Sequence, residues 1–393
     1  MTNKLNLILD FNNFAMRSLF TCQFMEPDVK IVNFEKQAEC DILVRKIVYD
    51  MCKVVRLFKP CRVIISCDSK NPWRGKIFDE IEGETYKGTR EKDEKKNWTN
   101  IYNALDDVKD ILKKSGFIVN SIDNTEADDI TTMWKEYLFD KNEDVVMVSS
   151  DMDWVQLVGM NQKKNVCVCF NPIANNKGKR RLFIDENIDN WLKEPDAVDI
   201  FFNNYNYTKK TLNGIVELDS KIEITTVDPN MVLLEKIMAG DVSDNVPAFW
   251  SYYKNGRKQN VTKLKASHVF ETLNIHNVND LVKANDEMLL QDVLEKEMKH
   301  EIDIDFKKRI NRQRMLVELN SSMFPKEIVA KFMGIVQESL DSFDVNTTNI
   351  KMEDVLMNTK YLQKKNEHGK LNSIFDDINS LSRYSSNSKS LFE

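Results

Sequence analysis

The chain has 393 residues, 42% of them hydrophobic and 30% charged, with a formal net charge of −6. That length exceeds the need of one average domain, and that composition is ordinary for a globular protein, so two domains and a tail are expected. No apolar run reaches the roughly 18 residues a membrane helix needs. The segment Met1–Asp10 has no apolar signal core ahead of a cleavage site and runs straight into a strand, so the protein is expected to stay in the cytoplasm (the host's, for a phage protein).

Cysteine and histidine usage narrows the chemistry. There are seven cysteines and no CxxC pair, and only four histidines, none beside a cysteine, which argues for a reducing compartment and against a zinc site. Cys167 and Cys169 alternate on a strand and read as small packed hydrophobes. A net charge of −6 argues weakly against a general nucleic-acid binder, but a carboxylate cluster concentrates negative charge at one point and coexists with a local basic surface.

In chain order, Leu5 to Leu9 reads as a buried strand, Lys36 to Phe58 as an amphipathic helix and Arg62 to Cys67 as a second buried strand. Trp98 to Lys114 has a helical face of Ile101, Leu105, Val108 and Leu112. A short strand Phe117 to Asn120, a helix Glu126 to Leu138 and a strand Val145 to Ser149 follow. Val166 to Phe170 and Arg181 to Ile184 form a hairpin around Asn175-Asn176-Lys177-Gly178. Repeated βα units predict an α/β fold, a mainly parallel central sheet with helices on both faces. The pattern breaks between Trp73 and Asn97, a charged stretch read as a long functional loop. From Pro229 the chain reads as helical with no further strong strands, and beyond Asn366 it turns polar and Ser/Asn-rich, as a flexible tail does. The expected division is 1–228, 229–340 and 341–393.

The acids carry the chemistry. Asp10 ends the first strand and Asp68 the second; Glu126, Asp128 and Asp129 open a helix after a strand; Asp151 and Asp153 follow the strand at Ser149. Strand carboxyl ends share one edge of a doubly wound sheet, where ligands bind. A fifth segment, Gly240 to Asn245, adds Asp241 and Asp244. So many carboxylates side by side need a cation, and an all-oxygen set favours Mg²⁺ or Mn²⁺. Two such ions can activate a water and stabilise the leaving oxygen of a phosphodiester. Singly, each acid reads better as a helix cap or turn residue than as a ligand. The coincidence of acids at successive strand ends on one edge favours the metal reading.

The motifs Glu126-Ala127-Asp128-Asp129, Ser150-Asp151-Met152-Asp153-Trp154-Val155-Gln156-Leu157 and Gly240-Asp241-Val242-Ser243-Asp244-Asn245-Val246-Pro247 resemble the EADD, SxDxDxxQL and GDxSDNxP signatures of the 5′ nucleases. That family comprises flap endonucleases, phage 5′–3′ exonucleases and the ribonuclease H of T-even phages, the last being the nearest in kind. Tyr86-Lys87-Gly88-Thr89-Arg90 resembles its arch motif. The resemblance runs from Asp10 to about Ile328. It implies a PIN-like nuclease core, a helical arch at about 73–97 and a C-terminal helical DNA-binding region. It also implies one magnesium ion at Asp10, Asp68, Glu126 and Asp128, a second at Asp151, Asp153, Asp241 and Asp244, with manganese as a substitute, and Asp129 outside the ligand shell. By the same match Lys87 neutralises charge at the scissile phosphate, Arg74 and Arg90 grip phosphates and Tyr86 stacks on a base. The implied substrates are branched, flapped or nicked DNA and RNA–DNA hybrids, cleaved during primer or flap removal in replication by a monomer.

One departure stands out. Where many members carry a glycine turn that binds duplex backbone, this chain has an insert with Lys254, Arg257 and Lys258, then Lys263 and Lys265. These read as phosphate contacts or as plain surface charge. Lys177, Lys179, Arg180 and Arg181, and the run Lys307 to Arg314, are further basic clusters, read first as charged faces. The tail peptide Ser388-Lys389-Ser390-Leu391-Phe392 reads either as a docking peptide for a sliding clamp or single-strand-binding protein or as a segment packed back on the helices. Three other readings compete with a 5′ nuclease. A PIN-type ribonuclease would be shorter and lack the Gly240 motif. A haloacid-dehalogenase-type phosphatase needs an Asp where Asn12 stands. A non-catalytic binder of branched DNA would not need the eight acids and Lys87.

Overall fold

The structure is a computed structural model; it describes residues 5–22, 33–58, 60–78, 86–88, 93–114, 116–194, 210–212, 215–217 and 222–345. The expected tail and its docking peptide, and Arg90, lie outside the described residues.

The first half is built as the periodicity predicts, with boundaries shifted by a residue or two. Strand β1 (Leu5–Asp10) leads into α1 (Phe11–Thr21), then α2 (Gln37–Phe58), β2 (Arg62–Ser66), α3 (Trp73–Phe78), α4 (Trp98–Lys114), β3 (Ile118–Asn120), α5 (Ala127–Asp140) and β4 (Asp144–Val148). A short 3-10 turn, Met152–Leu157, precedes β5 (Gly159–Met160), β6 (Val166–Asn171), β7 (Arg180–Asp185), α6 (Glu186–Trp191), β8 (Lys210–Leu212), β9 (Ile215–Glu217) and β10 (Ile222–Val227). The main sheet runs β10-β7-β6-β4-β1-β2-β3, with β5 beside β6. All pairs on that path are parallel except β6 with β7, the hairpin read from the sequence.

Alternation decides the two faces. Leu5, Leu7 and Leu9 of β1 pack with Val63, Ile65, Val146 and Val148 under α1, α2 and α4. Ile8, Ile64, Val145 and Met147 face the opposite core with Ile130, Met133 and Trp134 of α5. Strands covered on both sides have no wet face, so they read as continuous apolar runs.

Beyond the sheet, α7 (Pro229–Ala239), strands β11 (Ser251–Lys254) and β12 (Arg257–Asn260), and helices α8 (Lys263–Leu273), α9 (Val278–Asp286), α10 (Leu289–Met298) and α11 (Phe306–Val317) surround a third apolar core. The last helix, α12 (Lys326–Val345), returns to the sheet, placing Ile328, Phe332 and Val336 in the core that holds Trp134.

Two expectations are corrected. The stretch from Trp73 is not loop at its start: α3 forms because Trp73 and Phe78, on either side of one turn, are both buried, in different cores. The region after Pro229 is not purely helical: β11 and β12 pair antiparallel, with Lys254 opposite Arg257, around Asn255 (φ 51°) and Gly256 (φ 72°). Two successive left-handed residues make the two-residue hairpin turn that Asn-Gly favours.

At the sheet's far edge, opposite the acids, Arg62 is locked. Its Nη1 lies 2.6 Å from Glu143 Oε2, which also accepts from Asn6 Nδ2 at 2.9 Å. Both charged side chains are buried. Removing one partner of a buried pair strands the other, at a cost of about 3–5 kcal/mol. Glu143→Ala should therefore lower the unfolding free energy by about that much in a denaturant titration, and an unchanged midpoint would show the network to be dispensable.

Candidate functional site

The topology delivers the acids to one edge. Asp10 is the last residue of β1, and Asp68 and Asp151 follow β2 and β4, the two strands that flank β1. Each is held by short-range bonds. Asp10 caps α1, accepting from the Asn13 amide at 3.0 Å and from Ser149 Oγ at 2.9 Å. Asp68 accepts from the Ala127 amide at 2.8 Å and Asn12 Nδ2 at 2.6 Å, which ties the end of β2 to the start of α5. Asp151 caps the 3-10 turn through the Asp153 amide, and Trp154 Nε1 donates to Asp128 at 2.6 Å.

Asp129 is fully buried and works as a clamp. It accepts from the Glu126 amide at 3.0 Å, Trp73 Nε1 at 3.0 Å and Arg74 Nη1 at 2.5 Å. Arg74, only 2% exposed, also lies 3.3 Å from Glu126 and packs over the Trp73 ring. The expectation that Arg74 grips phosphates is corrected: its guanidinium is enclosed by Asp129, Glu126, Trp73 and Phe324, and its charge is spent on holding Glu126 in place.

Two lysines stand between carboxylates from distant segments. Lys87 Nζ pairs with Glu126 and lies 3.4 Å from Asp244, while its backbone amide donates to the Asp244 carbonyl at 3.1 Å. Tyr86 donates its hydroxyl to Glu126 at 2.8 Å and packs its ring against Phe78. Lys236, in the last turn of α7, pairs with Asp153 and lies 2.5 Å from Asp241. The sequence reading missed Lys236 because a single lysine on a helix reads as solvated charge. The available signal was its setting, flanked by Met231 to Leu234 and by Ile237 and Met238 and five residues ahead of Asp241.

The electrostatics divide the acids into two kinds. Burial, reinforced by Asp68 and Asp151, pushes the Asp10 carboxyl up to about 7. Burial with Asp151 and Glu126 nearby raises Asp128 well above the ordinary carboxylate range. Glu126 goes the other way: despite burial, Lys87 and Arg74 hold it below its usual value. Asp241 is likewise held down, to about 2, by Lys236 and Ser243 against the effect of burial. Both lowered acids lie beside a cation, but a cation alone does not suffice: burial keeps Asp129 raised even against the Arg74 guanidinium. Among the described residues, no three His, Cys, Asp or Glu side chains are gathered closely enough to hold one ion; the acids stand in pairs spanned by lysines. The basic residues Lys254, Arg257 and Lys258 sit on the β11–β12 hairpin and Lys263 and Lys265 at the start of α8, following the loop that carries Asp241 and Asp244.

That loop depends on Gly240. It sits at φ 73°, and a Cβ there would press on the Val246 carbonyl oxygen and lie 2.6 Å from Pro247 backbone atoms. The close approach is what lets Asp241 and Val246 exchange backbone hydrogen bonds of 2.9 and 2.7 Å. Gly240→Ala should lower the unfolding free energy by about 1–3 kcal/mol, through left-handed strain and the backbone clash together. Wild-type stability in a denaturant titration would show that the turn relaxes freely.

With this geometry in hand, comparison with known proteins is informative. Residues 5–186 match the family model of the 5′–3′ exonuclease N-terminal resolvase-like domain. Among solved structures, the bacteriophage T5 5′-exonuclease with bound divalent metal ions (zinc) superposes with a TM-score of 0.51 at 17% identity, over 86% of this chain and 100% of that one. The bacteriophage T5 flap endonuclease, solved as a pseudo-enzyme-product complex with DNA and metal ions, gives a TM-score of 0.51 at 16% identity over the same shares. At those identities the likeness shows the fold. No curated protein matches the chain. Residues 5–186 thus resemble the 5′–3′ exonuclease N-terminal resolvase-like domain, and the chain shares the fold of the bacteriophage T5 5′-exonuclease.

Proposed function

We infer that this protein is a structure-specific 5′ nuclease, hydrolysing phosphodiester bonds of flapped, nicked or branched DNA and RNA–DNA hybrids with two magnesium ions, for which manganese substitutes. The single observation that carries the reading is the meeting, at one sheet edge, of carboxylates from five separate segments, with Asp10 and Asp128 raised by burial and mutual repulsion. Negative charge that leaves Asp10 and Asp128 raised in spite of the neighbouring lysines is the condition a hard divalent cation would relieve, and every candidate ligand is an oxygen.

Asp10, Asp68, Glu126 and Asp128 would hold one ion, and Asp151, Asp153, Asp241 and Asp244 the other. Such ions would supply polarisation of a phosphodiester and a lowered pKa for a bound water. Lys87 spans Glu126 and Asp244 and Lys236 spans Asp153 and Asp241, so each lysine holds in place carboxylates that would serve as ligands. The Lys87 ammonium at this edge would neutralise charge developing on a phosphoryl oxygen. Arg74 and Asp129 act as positioning residues, fixing Glu126 from behind. Asn12 and Ser149 orient Asp68 and Asp10 in the same way. Removal of RNA primers or flaps during replication is the cellular task this chemistry suits.

A 5′-flap oligonucleotide assay tests the reading. Cleavage should require Mg²⁺ or Mn²⁺ and stop on chelation. Asp151→Asn should lower the single-turnover rate by roughly 10²-fold or more while leaving substrate affinity intact or improved, because it removes a ligand and some repulsion of phosphate. Wild-type rates in that variant would sink the metal assignment. Lys87→Ala should lower turnover by about 10²–10³-fold with little change in Kd, the signature of a charge needed as the transition state forms; a loss confined to Kd would make Lys87 a docking residue. No cleavage by the native protein with either metal would leave a branched-DNA-binding accessory protein as the better reading.

A further inference from the structure

The 3-10 turn Met152–Leu157 carries Asp153, has Asp151 as its cap, and is pinned from three sides. Toward β1, Ser149 Oγ accepts from the Asp151 amide at 3.0 Å while donating to Asp10 at 2.9 Å. At its far end, Gln156 Nε2 donates to the Val317 carbonyl at 3.1 Å and Gln156 Oε1 accepts from the Leu319 amide at 3.4 Å, which ties the turn to the end of α11. The third tie is Trp154, whose indole Nε1 donates to Asp128 Oδ1 at 2.6 Å from a fully buried side chain. Gln156 and Leu157 fill named positions of the SxDxDxxQL signature, whereas Trp154 stands at an open one.

Asp128 stands in the first turn of α5. The chain leaves the acidic edge along α5 and returns to it along β4, and the indole bond joins the point of departure to the turn after the return. A buried indole N–H needs an acceptor, but a neutral one suffices for the fold. Trp134, on α5 and in the same apolar core as Trp154, uses the Asn120 side-chain oxygen at 2.7 Å. Trp154 instead places its donor on a carboxylate of the edge. An indole is joined to the backbone through two torsions, so what it holds is held stiffly. With Oδ1 of Asp128 taken by the indole, Oδ2 is left for a cation.

We propose that Trp154 is a positioning residue that sets the spacing of the two ion sites: its indole N–H fixes Asp128, of the first ligand group, against the turn that carries Asp151 and Asp153, of the second. Two ions acting on one phosphodiester stand roughly 3.5–4 Å apart, so ligands drawn from separate segments have to keep their separation to within about 0.5 Å. Trp154 supplies that constraint by the shortest route, because it lies in the turn of one ligand group and bonds directly to a carboxylate of the other. Partners that orient a metal ligand typically matter by about 10- to 100-fold in metal affinity. The proposal rests on the two-ion reading and deepens it.

Calorimetric titration with Mn²⁺, in the absence of nucleic acid, reads the effect directly. Trp154→Phe keeps an aromatic ring and removes the N–H, and it should weaken Mn²⁺ binding by roughly 10- to 100-fold. Trp134→Phe makes the same change in the same core but away from the acids, and should keep the native Mn²⁺ affinity. In the flap assay, the Mg²⁺ concentration giving half the maximal rate should rise in Trp154→Phe by a similar factor, with flap Kd in chelator unchanged. Equal losses of Mn²⁺ affinity in the two variants, in step with their melting temperatures, would overturn the proposal and make Trp154 an ordinary core residue. Native Mn²⁺ affinity in Trp154→Phe would overturn it too, while leaving the two-ion reading in place. No Mn²⁺ binding by the native protein would overturn both. Should Trp154→Phe fail to fold, the native protein decides by NMR: the Trp154 indole N–H signal should move on Mg²⁺ addition while that of Trp134 stays, and the absence of any difference between them would overturn the proposal.

Discussion

Repulsion among carboxylates at one sheet edge is the constraint around which the rest of this molecule is arranged. A parallel sheet delivers the carboxyl ends of its strands to one side, and here β1, β2 and β4 each deliver an aspartate. The fold answers with positive charge drawn from elsewhere in the chain. Arg74 comes from the helix after β2, Lys87 from the turn that follows it, and Lys236 from the last turn of α7. Lys87 and Arg74 hold Glu126 down and Lys236 holds Asp241 down, while burial keeps Asp10, Asp128 and even the Arg74-paired Asp129 raised. Stability and function pull in opposite directions at such an edge, because the repulsion that costs folding energy is the same repulsion that favours a metal cation and then a substrate near it.

Capping does not exclude a further role for these acids. Asp10 caps α1, Asp151 caps a 3-10 turn, and Asp129 receives the Glu126 amide. Read singly, each is an ordinary helix-terminus residue, and each does satisfy an orphan amide. The caps orient the carboxylates. An aspartate whose one oxygen is fixed on a backbone amide has few rotamers left, and its other oxygen points in a defined direction. The same logic makes Trp73 and Trp154 more than core residues, since their indole N–H groups tether Asp129 and Asp128.

The helical half is coupled to this edge through backbone rather than through a side-chain relay. Gly240 closes the turn that carries Asp241 and Asp244, and the chain then enters the third core at Phe249, four hydrogen bonds tying that entry to α7, the end of β12 and α11. Phe78, at the end of α3, is buried in the same core and touches the ring of Tyr86. The end of α3, the Asp241 loop and the base of the β11–β12 hairpin therefore share one packed unit, which fixes the geometry between an electropositive ribbon and the acidic edge.

Much of this was legible in the sequence, for identifiable reasons. The two faces of β1, the amphipathic stripe of α4 and the Asn-Gly-like turn before Gly178 are local periodicity and turn chemistry, which act over a few residues and leave their mark in order along the chain. The acids at strand ends followed from topology alone, since any parallel arrangement of those strands brings them together. The signal for the second hairpin, Asn255-Gly256, was also present in the sequence, but polar strands with three cations do not alternate as buried ones do. Only the tertiary structure decided the counter-charges. Lys236 reaches Asp153 across 83 positions of chain, and Arg74 is enclosed against Asp129 across 55. A lysine or arginine on a helix looks the same in sequence whether it faces water or a carboxylate, because ion pairing depends on which surfaces are packed together and leaves no periodic trace in the chain.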